Sequence, residues 1–112
     1  MIAASQADLD AARLLLLSAA RSLQNVGDAG VAVTVEQRAA LRAAMSHSAR
    51  VSRRVLVDVY ELASSSPLYK GDPLERRFRD GMAALQHFNH SAAAFEAAGR
   101  VHFGLAPNMP LF

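Results

Sequence analysis

The feature that most constrains the fold is a long stretch without proline or glycine, from residue 35 to residue 63. It opens with Thr34-Val-Glu-Gln37, a capping box in which the side chain of Gln37 can reach back to the amide of Thr34. At 1.5 Å per residue, the stretch predicts a helix of roughly 40 Å over about 35–63. Such a helix must bury one of its faces, and the residues predicted to form that buried face recur every three or four positions. This central stripe consists of Leu41, Met45, Ser48, Ser52, Val55, Val59 and Leu62.

Two more helices are predicted, over about 5–26 and 73–103. Ser5 is the predicted N-cap of the first, and the glycines of segment 27–30 end it. The other begins at Asp72, with proline at its first helical position, where a missing amide costs nothing. The apolar line of the first helix is Leu9, Ala12, Leu16, Ala20 and Leu23.

These elements predict an all-α fold, an antiparallel bundle of three main helices forming one domain over residues 1–112. Composition agrees, since 52% of residues are hydrophobic, only 6% are aromatic, and alanine is abundant. The central helix is too long for the first helix alone to cover. We therefore expect apolar surface that a second chain or another segment covers, and hence self-association.

Composition also excludes several classes of protein. There is no cysteine, so a disulfide scaffold, a thiolate zinc site and a cysteine nucleophile are ruled out. Twelve basic and ten acidic residues leave a net charge of +2 without a basic tract, which argues against a nucleic-acid partner. No apolar run approaches the ~20 residues of a membrane span, and Asp8 and Asp10 stand where a signal peptide would be positive. We expect a soluble, cytoplasmic protein with no membrane partner.

Two histidines, His87 and His90, are three residues apart near one face of the predicted third helix, with Asp80 two turns earlier. Such a set can bind a metal, but no carboxylate stands at the adjacent spacing, and we predict no metal site. The simpler interpretation makes His87 a core or interface residue and His90 a surface residue.

Charged residues open the same helix. We predict ion pairs of Arg76 with Asp72 or Asp80, and of Arg79 with Glu75, at helical spacing.

An ordered set of short motifs resembles a known family, the C-terminal helical domain of the acyl-CoA dehydrogenase superfamily. It is closest to the second type of this domain, found in two-component flavin-dependent monooxygenases. The motifs that carry the resemblance are Leu9-Asp-Ala-Ala-Arg13, Thr34-Val-Glu-Gln-Arg38, Pro67-Leu-Tyr69, Asp72-Pro-Leu-Glu-Arg76, Phe78-Arg-Asp80, Gln86-His87, Ala98-Gly-Arg100 and Gly104-Leu105.

The resemblance implies a flavin-dependent oxidoreductase, in its monooxygenase branch one that hydroxylates an aromatic or similar substrate with reduced flavin and oxygen. It implies His87 as the catalytic residue beside the flavin, and Ser64, Ser65, Tyr69 and Arg79 as cofactor-binding residues. The cofactor is then FMN or FAD in the full-length enzyme, with none held by this chain alone. It also implies a separate flavin reductase as partner, and dimers or tetramers in which the helical domains meet.

Two positions depart from the family pattern. Family members commonly have two glycines where Ser64 and Ser65 stand; glycine allows a closer backbone approach to the cofactor, although a serine hydroxyl can donate to a phosphate. Acyl-CoA dehydrogenases commonly carry a catalytic glutamate just past the position of His87, where this chain has Phe88. Because phenylalanine cannot abstract a proton, the sequence favours the monooxygenase branch over an acyl-CoA dehydrogenase proper.

The family domain is a bundle of four helices, the first of which would precede Ser5. We therefore expect residues 1–112 to be a fragment of a longer flavoenzyme, inactive alone. Two alternatives stay open: a stand-alone helical module for oligomerisation or protein interaction, and an acyl-CoA dehydrogenase proper.

Overall fold

A computed structural model describes residues 1–63, 71–87, 90–110 and 112. In this part of the chain there are four α-helices and no strand: α1 (Ile2–Asp28), α2 (Val35–Leu62), α3 (Pro73–Ala84) and α4 (Ala93–His102). The predicted all-α class is confirmed. The central helix α2 makes the main contacts of the other three helices. No helix within these described ranges is long and apolar enough to cross a membrane.

The start of α2 is the predicted capping box. The amide of Gln37 donates to the hydroxyl of Thr34 at 3.1 Å, and the amide of Thr34 donates to the side-chain oxygen of Gln37 at 3.0 Å. Two of the free amides at the helix start are thereby satisfied.

Helix α1 begins earlier than predicted. The amide of Ser5 donates to the carbonyl of Met1 at 2.9 Å, so Ser5 lies inside the helix and is not its N-cap. The alanines at positions 3 and 4 are strong helix formers and extend the helix to Ile2.

The face of α1 that packs on α2 repeats every three or four residues, and all of its members are buried or half-buried. This inner seam consists of Ser5, Leu9, Ala12, Leu16, Ala19, Leu23 and Val26. The predicted line is correct except that Ala19 replaces Ala20, which is exposed. Small residues allow the two helices to approach closely. The hydroxyl of Ser48 on α2 donates to the carbonyl of Ala12 on α1 at 3.3 Å.

The predicted third helix over 73–103 is wrong as a single element, since α3 ends at Ala84 and α4 begins at Ala93. Its predicted start is correct: Asp72 accepts from the amide of Leu74 at 2.8 Å, and Pro73 is the first helical residue. The intervening sequence includes histidines and Ser91, which have low helix propensity. In addition, α2 supplies side-chain donors to carbonyls at both ends of the break, as described below.

The α2–α4 interface is built from small residues. The alanines of α4 at positions 94, 97 and 98 are almost completely buried, and Ala98 and Val101 form a cluster with Ala39 of α2. At the end of α4, Gly104 has a φ of 76° and the amide of Leu105 donates back to the carbonyl of Arg100 at 2.9 Å. This is a Schellman ending, which needs glycine for the left-handed residue.

Candidate functional site

The structure brings His87 and His90 together at the junction between α3 and α4. Their ring centroids are 5.7 Å apart and their planes are inclined by 53°. Because α3 has already ended, the pair lies in a turn, where the amide of His90 donates to the carbonyl of His87 at 2.9 Å. We call this junction, residues 85–87 and 90–92, the histidine corner.

His87 is exposed in this chain, so the core alternative for it is wrong, while the interface alternative stays a prediction. His90, which the simpler interpretation placed at the surface, is half-buried. The Nδ1 atom of His90 is shielded from solvent and has no hydrogen-bond partner within the described residues. A neutral imidazole carries one acceptor and one donor nitrogen, so this atom can accept from, or donate to, a polar group placed beside it.

The ring of His90 lines a cavity of about 400 Å³ between α1, α2 and the histidine corner. Its wall is mainly apolar, with the hydroxyls of Ser48 and Ser52 as further polar groups. The lining residues are Leu16, Leu41, Met45, Ser48, Ala49, Ser52, Leu85 and His90. An apolar wall with a few convergent polar groups is typical of a small-molecule site.

Two side chains of α2 fix the histidine corner. The guanidinium Nη2 of Arg53 donates to the carbonyl of Leu85 at 3.1 Å, and the hydroxyl of Ser46 donates to the carbonyl of Ser91 at 2.9 Å. Each carbonyl lies at one end of the break between α3 and α4. Both histidines are therefore held between two anchor points on one rigid helix.

Sequence reasoning missed the roles of Ser46 and Arg53. A signal was present, because Ala39, Ser46 and Arg53 are spaced at seven-residue intervals on α2 and so lie along one side of it. The side of α2 that carries these three residues packs against Ala98 and Val101 of α4 and against the histidine corner.

Of the four predicted cofactor-binding residues, Arg79 is the one that lies within the described ranges. Arg79 is exposed on α3 and pairs with Glu75 at 3.9 Å, which confirms the predicted ion pair. Arg76 pairs with Asp80 at 3.6 Å, the second of its two predicted partners. The three residues predicted from the preceding loop lie outside the described residues: Ser64, Ser65 and Tyr69.

No three histidine or carboxylate side chains in the described ranges are grouped so that they could hold a metal ion. The two imidazoles of the histidine corner can form hydrogen bonds and transfer protons.

An apolar groove follows the junction of α1 and α2 from the cavity beside His90 to the start of α1. Three depressions share residues along it, with Leu16 joining the first two and Leu9 the last two. The central stripe of α2 forms its floor, and two of its residues remain well exposed, Val59 at 37% and Leu62 at 55%. The predicted uncovered apolar surface is thus present in the described chain.

Sequence comparison places this helical architecture in a family. Residues 1–92 match the family described as acyl-CoA dehydrogenase, C-terminal domain, and the chain belongs to that family.

Two relatives show which kinds of enzyme this chain is similar to within the family. An indole-3-acetate monooxygenase of Acinetobacter baumannii is 35% identical over 79 residues, which are 70% of this chain and 20% of the relative. A pigment production hydroxylase of Rhodococcus erythropolis is 33% identical over 111 residues, which are 98% of this chain and 28% of the relative. The chain thus spans about a quarter of the length of these relatives. No solved structure matches it.

Proposed function

We propose that this chain is the C-terminal helical domain of a flavin-dependent monooxygenase that hydroxylates an aromatic or similar substrate. The observation that carries the proposal is the pair of relatives, since both printed names describe oxygen insertion, one of them on indole-3-acetate. The sequence supports the same branch, because Phe88 follows His87 where a dehydrogenase would need a carboxylate base. The cofactor under this proposal is FMN or FAD, reduced by a separate reductase in the cytoplasm.

The role proposed for this domain is to present the histidine corner to the flavin and substrate. A reduced flavin, when bound, supplies the electrons that activate oxygen. The chain supplies two imidazoles, side chains that can accept, donate or transfer a proton. His87 is exposed and can meet a group held by another part of the enzyme, and the Nδ1 of His90, which has no hydrogen-bond partner among the described residues, offers a second contact. Arg53 and Ser46 act as positioning residues, because they hold the backbone on either side.

The predicted cofactor-binding residues carry side chains of the kinds that bind a flavin. The solvent-exposed guanidinium of Arg79 forms a long ion pair of 3.9 Å with Glu75, so it can exchange that carboxylate for a phosphate. Ser64, Ser65 and Tyr69 offer hydroxyls to the same cofactor.

The test uses the protein at its natural length, whose mass is measured first. Binding of FMN and FAD is followed by flavin fluorescence, and turnover by the gain of one oxygen atom on indole-3-acetate and related aromatic acids, supplied with reduced flavin. We expect His87→Ala to lower turnover by at least about a hundredfold, the scale of losing general acid-base catalysis, with helical content unchanged.

The matched control is His102→Ala, an exposed histidine in the last turn of α4. Loss of activity in His87→Ala but not in His102→Ala supports the assignment. Unchanged turnover in His87→Ala overturns the role of that residue, and His90→Ala then tests the other half of the corner. Absence of flavin binding by the natural-length protein overturns the proposed function as a whole.

A second candidate function is self-association as a helical module. It is favoured by two exposed leucines on α1, Leu14 at 69% and Leu17 at 40%.

A further inference from the structure

The chain continues past α4 as an irregular segment that returns to α2. We call its described residues, 105–110 and 112, the strap. The strap is fixed to α4 near its start, because Nε of Arg100 donates to the carbonyl of Ala106 at 2.7 Å. It reaches α2 at its far end, where Nε of Arg42 donates to the carbonyl of Phe112 in a longer bond of 3.5 Å. The strap therefore connects α4 to α2.

Phe112 is the main apolar contact of the strap. Its side chain is half-buried and packs against the cluster of Ala39, Ala98 and Val101. The members of this cluster are small, whereas a phenylalanine side chain can bury roughly 150–250 Å². Phe112 thus supplies much of the apolar contact that holds the last turns of α4 on α2, at the opposite end of α4 from the histidine corner.

Helix α4 has little stability of its own. It has ten residues, and an isolated helix shorter than roughly 12–15 residues is marginal in water. Its N-cap residue, Ala92, makes no side-chain hydrogen bond, and Gly99 lowers the helix propensity of its interior. The order of α4 therefore depends on its docking to α2, which its own alanines support with little apolar area each.

The histidine corner is continuous with α4. The carbonyl of Ser91 accepts from the amide of Ala94 at 3.3 Å, in the first turn of α4, and from the hydroxyl of Ser46 on α2 at 2.9 Å. If α4 leaves α2, the bond from Ser46 cannot persist, and the corner loses one of its two anchor points. The strap at one end of α4 can thus affect the corner at the other end.

We propose that the strap is a conformational device that holds α4 on α2 and thereby keeps the histidine corner in place. Phe112 is its anchor. When the ring of Phe112 leaves the junction of α2 and α4, α4 and the corner open together, while α1 stays packed on α2. The proposal requires neither flavin binding nor a catalytic role for either histidine.

The first experiment measures the opening of α4 with trypsin, which cleaves a helix after arginine only where the helix has opened locally. The protein at natural length is used, and mass spectrometry identifies each cleavage site. Phe112→Ala should accelerate cleavage after Arg100 in α4 by at least about tenfold, because cleavage follows the population of the open state. Cleavage after Arg13 in α1 should not change.

The matched control is Phe103→Ala, because Phe103 is 86% exposed directly after α4. This variant should leave cleavage after Arg100 unchanged. Circular dichroism confirms that each variant keeps its helical content. Unchanged cleavage after Arg100 in Phe112→Ala overturns the proposal, and so does equal acceleration after Arg100 and Arg13, which would indicate a loss of stability throughout the fold.

The second experiment asks which contacts of the strap matter. Phe112→Leu keeps an apolar side chain and should retain most of the protection of α4 that Phe112→Ala loses. Arg42→Met removes the donor to the strap and should accelerate cleavage after Arg100 about threefold, the scale of one hydrogen bond. Arg38→Met, an exposed change one turn earlier on α2, is the control and should have no effect. Cleavage of Phe112→Leu as fast as that of Phe112→Ala overturns Phe112 as an apolar anchor.

The third experiment tests whether the strap and the histidine corner open in one event. If they do, Ser46→Ala should also accelerate cleavage after Arg100, by about fivefold, although Ser46 contacts the other end of α4. Free energies of one shared opening add, so Phe112→Ala combined with Ser46→Ala should give about fiftyfold. The control is Ser48→Ala, whose bond goes to α1 and whose loss should leave cleavage after Arg100 unchanged. Unchanged cleavage after Arg100 in Ser46→Ala means that the corner opens separately and overturns the proposal.

Discussion

The two sides of α2 differ in the size of the side chains that face outwards and in how completely they are covered. Towards α4 small residues predominate, and Ala94, Ala98 and Ser46 are almost fully buried. Towards the groove the central stripe carries larger apolar side chains, yet Val59 and Leu62 remain well exposed. Burial in the described chain therefore depends on how closely helices approach, and small residues allow the closest approach.

The side facing α4 should be the more sensitive to added volume. Ala94 has no exposed surface, so Ala94→Leu forces side chains into a filled space and should lower the free energy of unfolding by about 3 kcal/mol. Ala83→Leu, an exposed change on α3, should alter it by less than about 0.5 kcal/mol. Urea denaturation measures both. Equal effects of the two variants would contradict the difference between the sides.

The two serine hydrogen bonds of α2 allow a sharper comparison. Ser46→Ala removes a 2.9 Å bond from a nearly buried hydroxyl, while the carbonyl of Ser91 keeps the 3.3 Å bond from the amide of Ala94, so the change should cost about 1 kcal/mol. Ser48→Ala removes a longer bond of 3.3 Å on the groove side and should cost about 0.5 kcal/mol. Thermal and urea unfolding of the matched pair measures the difference. A larger loss for Ser48→Ala would show that the groove side is the better packed.

Two helical glycines should respond in opposite directions to alanine. A Cβ on Gly99 meets nothing within 4 Å, so Gly99→Ala should stabilise the chain by about 0.5–1 kcal/mol through helix propensity. A Cβ on Gly81 would lie 2.7 Å from Cδ1 of Leu56, so α3 must shift or Leu56 must rotate. Gly81→Ala should therefore give no gain, and a loss of up to about 1 kcal/mol. Stabilisation of both variants would show that α3 does not approach α2 so closely.

The smallest effect is expected on the open groove. Leu62→Ser removes an apolar side chain that is 55% exposed, and unfolding free energy should change by less than about 0.5 kcal/mol. Binding of an apolar fluorescent dye should fall at the same time, because the groove loses apolar surface. A large loss of stability would mean that the groove is closed in solution.

Much of the fold could be predicted from local signals. The capping box at Thr34 and the Asp72-Pro73 start are short-range patterns whose hydrogen bonds lie within a few residues, and both are confirmed. The break after Ala84 could not be predicted in the same way. The side-chain donors that hold its two ends come from Arg53 and Ser46, over thirty residues earlier.

The candidate site was predicted less completely, for a related reason. The sequence identified His87 through resemblance, but it could not show that His90 would be the more buried of the two. That difference arises because the chain turns at the histidine corner, whereas a continuous helix would have placed the rings by helical periodicity. The contributions of Ser64, Ser65, Tyr69 and Arg79 to cofactor binding stay predictions.

The position of α2 as the shared neighbour of the other helices has a consequence for the order in which the chain opens. Since α1 and α4 each rest mainly on α2, either can detach while the other stays docked. Local opening of α1 then exposes its own amides to exchange with solvent deuterium but leaves those of α4 protected. Amides near the middle of α2 become accessible only when both neighbours have left, so the slowest exchange in the molecule belongs there.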